Sequence, residues 1–246
     1  ALAGKTVARF SAARLAVAGP SAGVTIDGVQ AKGKYLLIHF GNGQTLETHM
    51  KMTGSWHLYR VGERWQRSAR SARAEIETTE GWIAVCFNAP VVELVRRRSG
   101  PDHLGPDLTG PEPDLDAARD RFSLADAATP VGVALLDQRI CCGVGNVYKS
   151  EVLHALALDP HTPVDDLDQA FRHRLVETAH HMLRANLGSG PRITVPGVPG
   201  GLAVYGRKGQ PCWRCSSEVQ RIVQGEHARS SYWCPGCQVR PRRGAR

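Results

Sequence analysis

The paired motifs Cys212-Trp-Arg-Cys215 and Cys234-Pro-Gly-Cys237, separated by eighteen residues, decide how the C-terminal part of this 246-residue chain folds. Each pair supplies two sulfurs from one tight turn, and the stretch between the pairs is long enough for a β-hairpin. This spacing predicts a cage of four thiolates around one zinc ion. Four protein ligands leave no open coordination position, so the ion would be structural. Two disulfide bonds, or four unrelated thiols, are the alternatives.

The composition favours a polyanionic partner. Lysine and arginine number 31 against 23 acidic residues, a net charge of +8. Such an excess is typical of proteins that bind nucleic acid, although an ordinary basic enzyme would share it. Four arginines and no acid lie in Arg240–Arg246, which we expect to be a disordered tail. The sequence shows no signal peptide and no apolar run of membrane-spanning length, which predicts a cytoplasmic protein with reduced thiols.

The N-terminal part reads as short strands separated by turns. Tyr35–Phe40 is an apolar run that ends at a glycine turn, and Thr45–Met52 follows with partial alternation. Arg73–Thr78 and Trp82–Phe87 flank another turn. These features predict an antiparallel β-sandwich. A stretch rich in glycine and proline at 100–113 indicates an interdomain boundary.

From Leu115 the pattern becomes helical. Thr129–Leu136 predicts a helix with Pro130 at its first position, and Val147–Leu158 predicts another. Asp168–Leu187 has apolar residues at helical spacing, namely Phe171, Leu175, Ala179 and Met182. The expected fold is therefore α+β with two domains: a sandwich at 1–112, a helical domain at 113–201, and a zinc finger with a basic tail at 202–246.

Two further segments suit a phosphate group. Leu135–Glu151 contains helix, glycine turn and helix, so that backbone N–H groups and the Asn146 amide converge at one point. Taken alone, a glycine-tightened helix hairpin is about as good an interpretation. Val204–Cys212 leads into the first cysteine pair, and Arg229 lies before the second pair. An arginine held by a metal-braced turn suits a phosphate, whereas a solvated surface arginine is the alternative.

Together these segments resemble the formamidopyrimidine-DNA glycosylase and endonuclease VIII family. The resemblance covers nearly the whole chain and rests on Leu135–Glu151, Tyr205–Pro211, the four-cysteine finger and the interdomain stretch His103–Asp107. It implies a bifunctional enzyme of base-excision DNA repair that removes an oxidised base and then cleaves the abasic site. It also implies a helix–two-turn–helix in the C-terminal domain and one structural zinc ion per chain.

The resemblance assigns roles to five residues. Asn146 and Arg229 match residues that hold phosphates beside the lesion. Lys34 matches a lysine that contacts phosphate and supports catalysis, and would otherwise be an exposed strand lysine. Met52 matches the apolar wedge that fills the gap left by a flipped nucleotide, and would otherwise be a core methionine. Glu151 matches a buried carboxylate with a structural or electrostatic role near the active site.

Several features favour the endonuclease VIII branch. The formamidopyrimidine branch carries an Arg-Arg-Phe-Gly segment where this chain has Asn88–Leu94. The loop Arg192–Gly201 is also short compared with the lesion-capping loop of that branch. The endonuclease VIII branch prefers oxidised pyrimidines, which the resemblance therefore implies as substrates.

The nucleophile of the family is an N-terminal proline, followed by a glutamate. Its amine attacks the sugar C1′, expels the base and forms a Schiff base, and β/δ-elimination then cuts the strand. The sequence Ala1–Val7 resembles the family after its first helix, so we expect about fifteen residues, a helix's worth, to be absent here. Neither Ala1 nor Lys34 is assigned as nucleophile. If the chain were complete, we would expect binding to damaged or abasic DNA without cleavage.

Three functions therefore compete. The first is a bifunctional glycosylase and lyase that acts as a monomer on damaged double-stranded or single-stranded DNA. The second is a catalytically inactive damaged-DNA-binding protein that lacks the N-terminal nucleophile. The third, a zinc-stabilised RNA-binding factor, explains the charge and the finger but not the combination of Gly143–Glu151 with Tyr205–Pro211.

Overall fold

The chain divides into two compact units. A computed structural model describes residues 1–12, 14–96, 100–188 and 190–241. Unit 1 comprises Ala1–Asp102 and unit 2 comprises His103–Arg246. The expected tail Arg240–Arg246 lies outside the described residues beyond Pro241. The finer division at 112 and at 201 stays a prediction.

Unit 1 consists of two four-stranded antiparallel sheets. One has the strand order β1-β6-β7-β5 and the other β2-β3-β4-β8. The strands are β1 Val7–Ser11, β2 Ile26–Lys32, β3 Tyr35–Phe40, β4 Thr45–His49, β5 Ser55–Arg60, β6 Ala72–Thr78, β7 Trp82–Phe87 and β8 Val91–Val95. The predicted strands at Tyr35–Phe40 and Trp82–Phe87 have the bounds expected from the sequence.

Side chains from both sheets share one apolar core, which confirms the sandwich. Ile38 and Phe40 of β3 are buried in the same cluster as Ile76 of β6 and Cys86 of β7. Since neighbouring residues of a strand point to opposite faces, β7 also buries Phe87 on the outer face of its sheet. There a second small cluster forms under the half-buried Trp65. Burial on both faces explains why β7 is apolar throughout.

The predicted strand Thr45–Met52 is shorter than expected. β4 ends at His49, and the next residues form a turn closed by a hydrogen bond from Gly54 N to Met50 O of 2.8 Å. Lys51 lies in this turn with a φ of 45°, in the left-handed region. Residues 51–53 of this turn are exposed to solvent.

The described residues of unit 2 form four α-helices and the finger hairpin. The helices are α1 Leu115–Asp120, α2 Val131–Ala134, α3 Asn146–Ala155 and α4 Gln169–Arg184. α4 is capped by Asp168, whose side chain accepts a hydrogen bond of 2.7 Å from Phe171 N. It buries Leu175 and Ala179 and packs Phe171 and Met182 against the same core, which confirms the predicted apolar stripe. The described residues contain no helix that is both long and apolar enough to span a bilayer.

Two helical predictions need correction. Pro130 does not start a helix: its ψ is 136°, and it pairs with Pro163 in an isolated bridge while Val131 N donates to Thr162 O. The extended pairing leaves only Val131–Ala134 helical in α2. The helix predicted to reach Leu158 ends at Ala155, because Ala157 takes a left-handed conformation with a φ of 53°.

The segment between the cysteine pairs forms the predicted hairpin. β9, Gln220–Gln224, pairs antiparallel with β10, Arg229–Trp233. Arg229 is thus the first residue of β10 and lies directly after the turn that joins the two strands. The hairpin places this arginine at one end of the finger.

Gly105 provides a test of the packing in unit 2. A Cβ at this position would lie 2.5 Å from the carbonyl oxygen of Ile140 and 2.6 Å from that of Arg139. Backbone cannot move aside cheaply, so we expect Gly105→Ala to lower the free energy of unfolding by about 1–3 kcal/mol or more. Urea denaturation followed by circular dichroism measures this. Gly188→Ala meets no atom within 4 Å and is the control. Equal midpoints for the two variants would contradict the packing described.

Candidate nucleic-acid interface

The glycine turn before α3 is built around one glutamine. Gln138 Oε1 accepts a hydrogen bond of 3.3 Å from Gly143 N, and its Nε2 donates to the carbonyls of Leu136 and Val144. Gly143 has a φ of 104°, and a Cβ there would approach Thr109 to 3.0 Å. The turn places Asn146 at the first position of α3, where the N–H groups of the first helical turn have no partner within the helix.

Glu151 is a buried carboxylate that organises a distant loop. It is 1% exposed, and its two oxygens accept hydrogen bonds from three consecutive amides: Ala203 N at 2.7 Å, Val204 N at 3.0 Å and Tyr205 N at 2.8 Å. The Thr194 hydroxyl donates to the same carboxylate. Such charge-assisted bonds fix the segment 203–205 against α3. The structure therefore supports a structural role for Glu151.

Helix α3 also holds the hairpin that carries Arg229. Lys149 Nζ donates to the carbonyl oxygen of Ser230 at 3.0 Å, and Tyr232 N donates to the hydroxyl of Ser150 at 3.2 Å. Ser230 and Tyr232 lie two residues apart, so these backbone groups point to the same side of β10. Asn146, at the start of α3, and Arg229, at the start of β10, are thereby parts of one packed assembly.

The four cysteines of the finger converge. Their Sγ atoms all lie within 4.8 Å of one another, with 3.7 Å between Cys212 and Cys237 and 3.4 Å between Cys215 and Cys234. A tetrahedral ion with sulfur ligands at about 2.3 Å requires sulfurs about 3.8 Å apart. The shortest separation, 3.1 Å between Cys215 and Cys237, exceeds the roughly 2.05 Å of a disulfide. The cluster fits a metal ion, and the disulfide alternative is wrong.

The surroundings of the cluster also suit a metal. A Cβ on Gly236 would lie 2.3 Å from Ser217 Oγ and 3.1 Å from Cys215 Sγ, so only glycine fits this turn. Hydrogen bonds from Ser217 lower the pKa of the Cys215 thiol, whereas burial raises the pKa values of the Cys234 and Cys237 thiols. His154 Nε2 lies 3.5 Å from Cys212 Sγ, at hydrogen-bonding distance for sulfur. This contact joins the end of α3 to the cluster.

In unit 1, the charges of two lysine side chains affect the pKa of one histidine. Lys34 is exposed in the turn between β2 and β3. Burial lowers the pKa of His49, and the charges of Lys34 and Lys51 lower it further. The neutral ring of His49 accepts a hydrogen bond of 3.1 Å from Lys51 N and packs edge-on against Tyr35 at 4.8 Å between ring centroids. His49 thus supports the turn that follows β4.

Met52 lies in that turn and is 93% exposed. This exposure excludes the alternative of a core methionine. An apolar side chain kept in water on a defined turn is the geometry that a wedge requires.

Sequence reasoning found several of the residues of these sites and missed others that connect their elements. Asn146, Glu151 and the cysteines lie in unit 2, and Lys34 and Met52 lie in unit 1. The sequence analysis assigned no role to Lys149, His49 or His154. Lysine at an otherwise buried helix position was the available signal for Lys149, because lysine is seldom fully buried.

The fold and these sites together define a β-sandwich protein with a helix–two-turn–helix and a four-cysteine finger. The pattern of the formamidopyrimidine-DNA glycosylase N-terminal domain matches residues 2–90, and the pattern of the formamidopyrimidine-DNA glycosylase H2TH domain matches residues 104–195. The chain belongs to the formamidopyrimidine-DNA glycosylase and endonuclease VIII family.

Individual relatives agree with this membership. The chain is 38% identical to a probable endonuclease 8 of Streptomyces coelicolor, over 98% of this chain and 89% of that protein. It is 36% identical to a DNA-(apurinic or apyrimidinic site) lyase of Mycolicibacterium smegmatis, over 88% and 84% of the two chains. The fold matches Lactococcus lactis formamidopyrimidine-DNA glycosylase bound to abasic-site DNA with a TM-score of 0.77 at 23% identity, over 97% and 94% of the chains.

The contacts of Glu151 generate a prediction. In Glu151→Gln an NH₂ group replaces one acceptor oxygen and faces backbone N–H donors, so we expect the segment 203–205 to loosen. Hydrogen exchange at the amides of Ala203, Val204 and Tyr205 should accelerate at least about tenfold, which corresponds to about 1.4 kcal/mol of lost protection. Glu112→Gln, at an exposed position, is the control and should leave this exchange unchanged. Unaltered protection in Glu151→Gln would show that the carboxylate does not hold this loop.

Proposed function

We propose that this protein is a base-excision DNA glycosylase and abasic-site lyase of the endonuclease VIII type, with oxidised pyrimidines as preferred substrates. The observation that carries the proposal is the 38% identity to a probable endonuclease 8 over 98% of this chain. The abasic-site lyase at 36% identity supports the second activity. The branch assignment also rests on Asn88–Leu94, which lacks the Arg-Arg-Phe-Gly segment of the formamidopyrimidine branch.

The residues of unit 2 would bind the backbone of the damaged strand. Asn146 offers an amide at the start of α3, and Arg229 offers a guanidinium at the start of β10. Neutral and cationic donors of this kind hold phosphate oxygens without reading sequence. A repair enzyme needs this property, because lesions occur in every sequence context.

The residues of unit 1 would act on the duplex at the lesion. Lys34 would contact a phosphate and support catalysis, and Met52 would fill the space that the flipped nucleotide leaves. The chemistry implied by the family breaks the bond between base and C1′ as an amine of the protein forms a Schiff base there. Elimination then breaks the sugar–phosphate bond. The side chains assigned here bind and orient the DNA for that reaction.

The four-cysteine cluster would hold one zinc ion per chain with a structural role. The donor set of four thiolates is typical of structural zinc sites. We further propose that the protein acts as a monomer at the nucleoid in the cytoplasm, on damaged double-stranded or single-stranded DNA.

Trapping with borohydride tests the proposed activity. The complete natural protein is mixed with duplex DNA that contains either an abasic site or an oxidised pyrimidine, and borohydride reduces any Schiff base to a stable link. We expect a covalent complex and strand cleavage on both substrates and neither on undamaged duplex. Damage-specific binding without trapping would favour the inactive damaged-DNA-binding protein. Equal binding to damaged and undamaged duplex, with no cleavage, would overturn both functions.

Loss of one thiolate tests the metal site. Cys234→Ser should reduce bound zinc from one ion per chain towards zero and unfold the hairpin, since metal binding contributes folding free energy. Affinity for abasic duplex should fall with it, because Arg229 lies in that hairpin. Zinc content by mass spectrometry and affinity by fluorescence anisotropy measure the two effects. Cys86→Ala, in the core of unit 1, is the control and should keep its zinc. Full zinc content in Cys234→Ser would contradict the site.

A further inference from the structure

Lys149 is the most unusual buried group of unit 2. Its side chain is 0% exposed, although the residue lies only three positions after the start of α3. Its one described acceptor is the carbonyl oxygen of Ser230, at 3.0 Å. A lysine ammonium has three protons to donate, and it is costly to remove from water. A neutral donor could satisfy a single carbonyl at lower cost.

The electrostatic surroundings increase this cost. Burial, together with the nearby charge of Arg229, lowers the pKa of Lys149 to about 8. Two cations therefore lie close together, one buried and one exposed. Among the described residues, none hydrogen-bonds the guanidinium of Arg229 or the side-chain amide of Asn146. Such an arrangement opposes stability and favours binding of an anion.

The connections of Lys149 determine where Arg229 is placed. Ser230 directly follows Arg229, and its carbonyl is held by Lys149, while Tyr232 N is held by Ser150. Two consecutive residues of α3 thereby fix the outer edge of β10, which would otherwise present unpaired backbone groups. The turn before β10 spans residues 225–228 and has left-handed backbone at Gly225 and Ala228.

We propose that Lys149 is a positioning residue for phosphate binding: its buried ammonium group holds the Ser230 carbonyl and thereby aims Arg229 at the same phosphate that Asn146 binds. The ligand is a phosphodiester of the DNA backbone. This proposal rests on the proposed function, because it assumes that Arg229 and Asn146 contact DNA.

A double-mutant cycle tests the proposal. Affinity for duplex DNA with a tetrahydrofuran abasic-site analogue is measured by fluorescence anisotropy for the native protein, Lys149→Met, Arg229→Ala and the double variant. If Lys149 acts through Arg229, each single variant should weaken binding about tenfold, and the double variant should be no more than about twofold weaker than Arg229→Ala. The slope of log affinity against log salt should fall by about one unit in each single variant and no further in the double variant.

Arg221→Met is the matched control. Arg221 also carries one positive charge and also contacts Ser230, but it donates to the hydroxyl at 3.0 Å and is exposed. We expect this control to change affinity less than about twofold. An equal loss in Arg221→Met and Lys149→Met would mean that net charge alone is responsible, which would overturn the proposal.

The remaining outcomes separate the two proposals. If Arg229→Ala binds the abasic duplex as tightly as the native protein, the assigned phosphate contact fails, and the proposed function fails with it on this point. Two results would overturn only the role of Lys149. In the first, Arg229→Ala weakens binding but Lys149→Met leaves it unchanged. In the second, Lys149→Met weakens binding by the same factor in the native protein and in the Arg229→Ala variant. Thermal unfolding checks that the variants fold. If Lys149→Met does not fold, Lys149→Ala, which also removes the donor to Ser230, takes its place in the same cycle.

Discussion

The arrangement of unit 2 depends on the polar side chains buried along one helix. Lys149, Ser150, Glu151 and His154 of α3 are each almost fully buried, and each pairs with a group that lies far away in sequence. A buried polar group without a partner costs about 1–3 kcal/mol, so the helix and its partners must form together. The loop 203–205, the finger hairpin and the cysteine cluster are therefore not separate modules but parts of one assembly built around α3.

In unit 1, apolar contacts rather than buried polar pairs join the main elements. Its two sheets are joined by apolar side chains. The polar residues described above for its site, Lys34 and His49, lie in a turn and at the end of a strand. Loops positioned by a rigid scaffold are common carriers of function, because they can vary without disturbing the core. The turn after β4 shows how this works: the backbone bond between Gly54 and Met50 and the ring of His49 fix its shape, which leaves the remaining side chains open to solvent.

The sequence predicts what is local and fails where distant segments compete. The strands Tyr35–Phe40 and Trp82–Phe87 and the cysteine spacing depend on neighbouring residues, and the structure confirms them. The prediction of a helix with Pro130 at its first position was wrong, because the pairing of Pro130 with Pro163 overrides the local helical preference. Lys149 could not be assigned at all, since its partner Ser230 lies 81 residues further along the chain. The family resemblance supplied Glu151, but not the loop amides that it holds.

The exposure of Met52 has a chemical consequence. A thioether that is 93% exposed is open to any oxidant in solution, and one added oxygen turns its apolar end into a polar sulfoxide. The neighbouring Lys51 and Thr53 are polar, and Met50 packs against the core of unit 1, so none of these three side chains could replace it. A protein of a family that repairs oxidised bases thus carries, in the exposed turn after β4, a side chain that is itself sensitive to oxidants. Its capacity for repair would be tied to the cell's ability to reduce methionine sulfoxide.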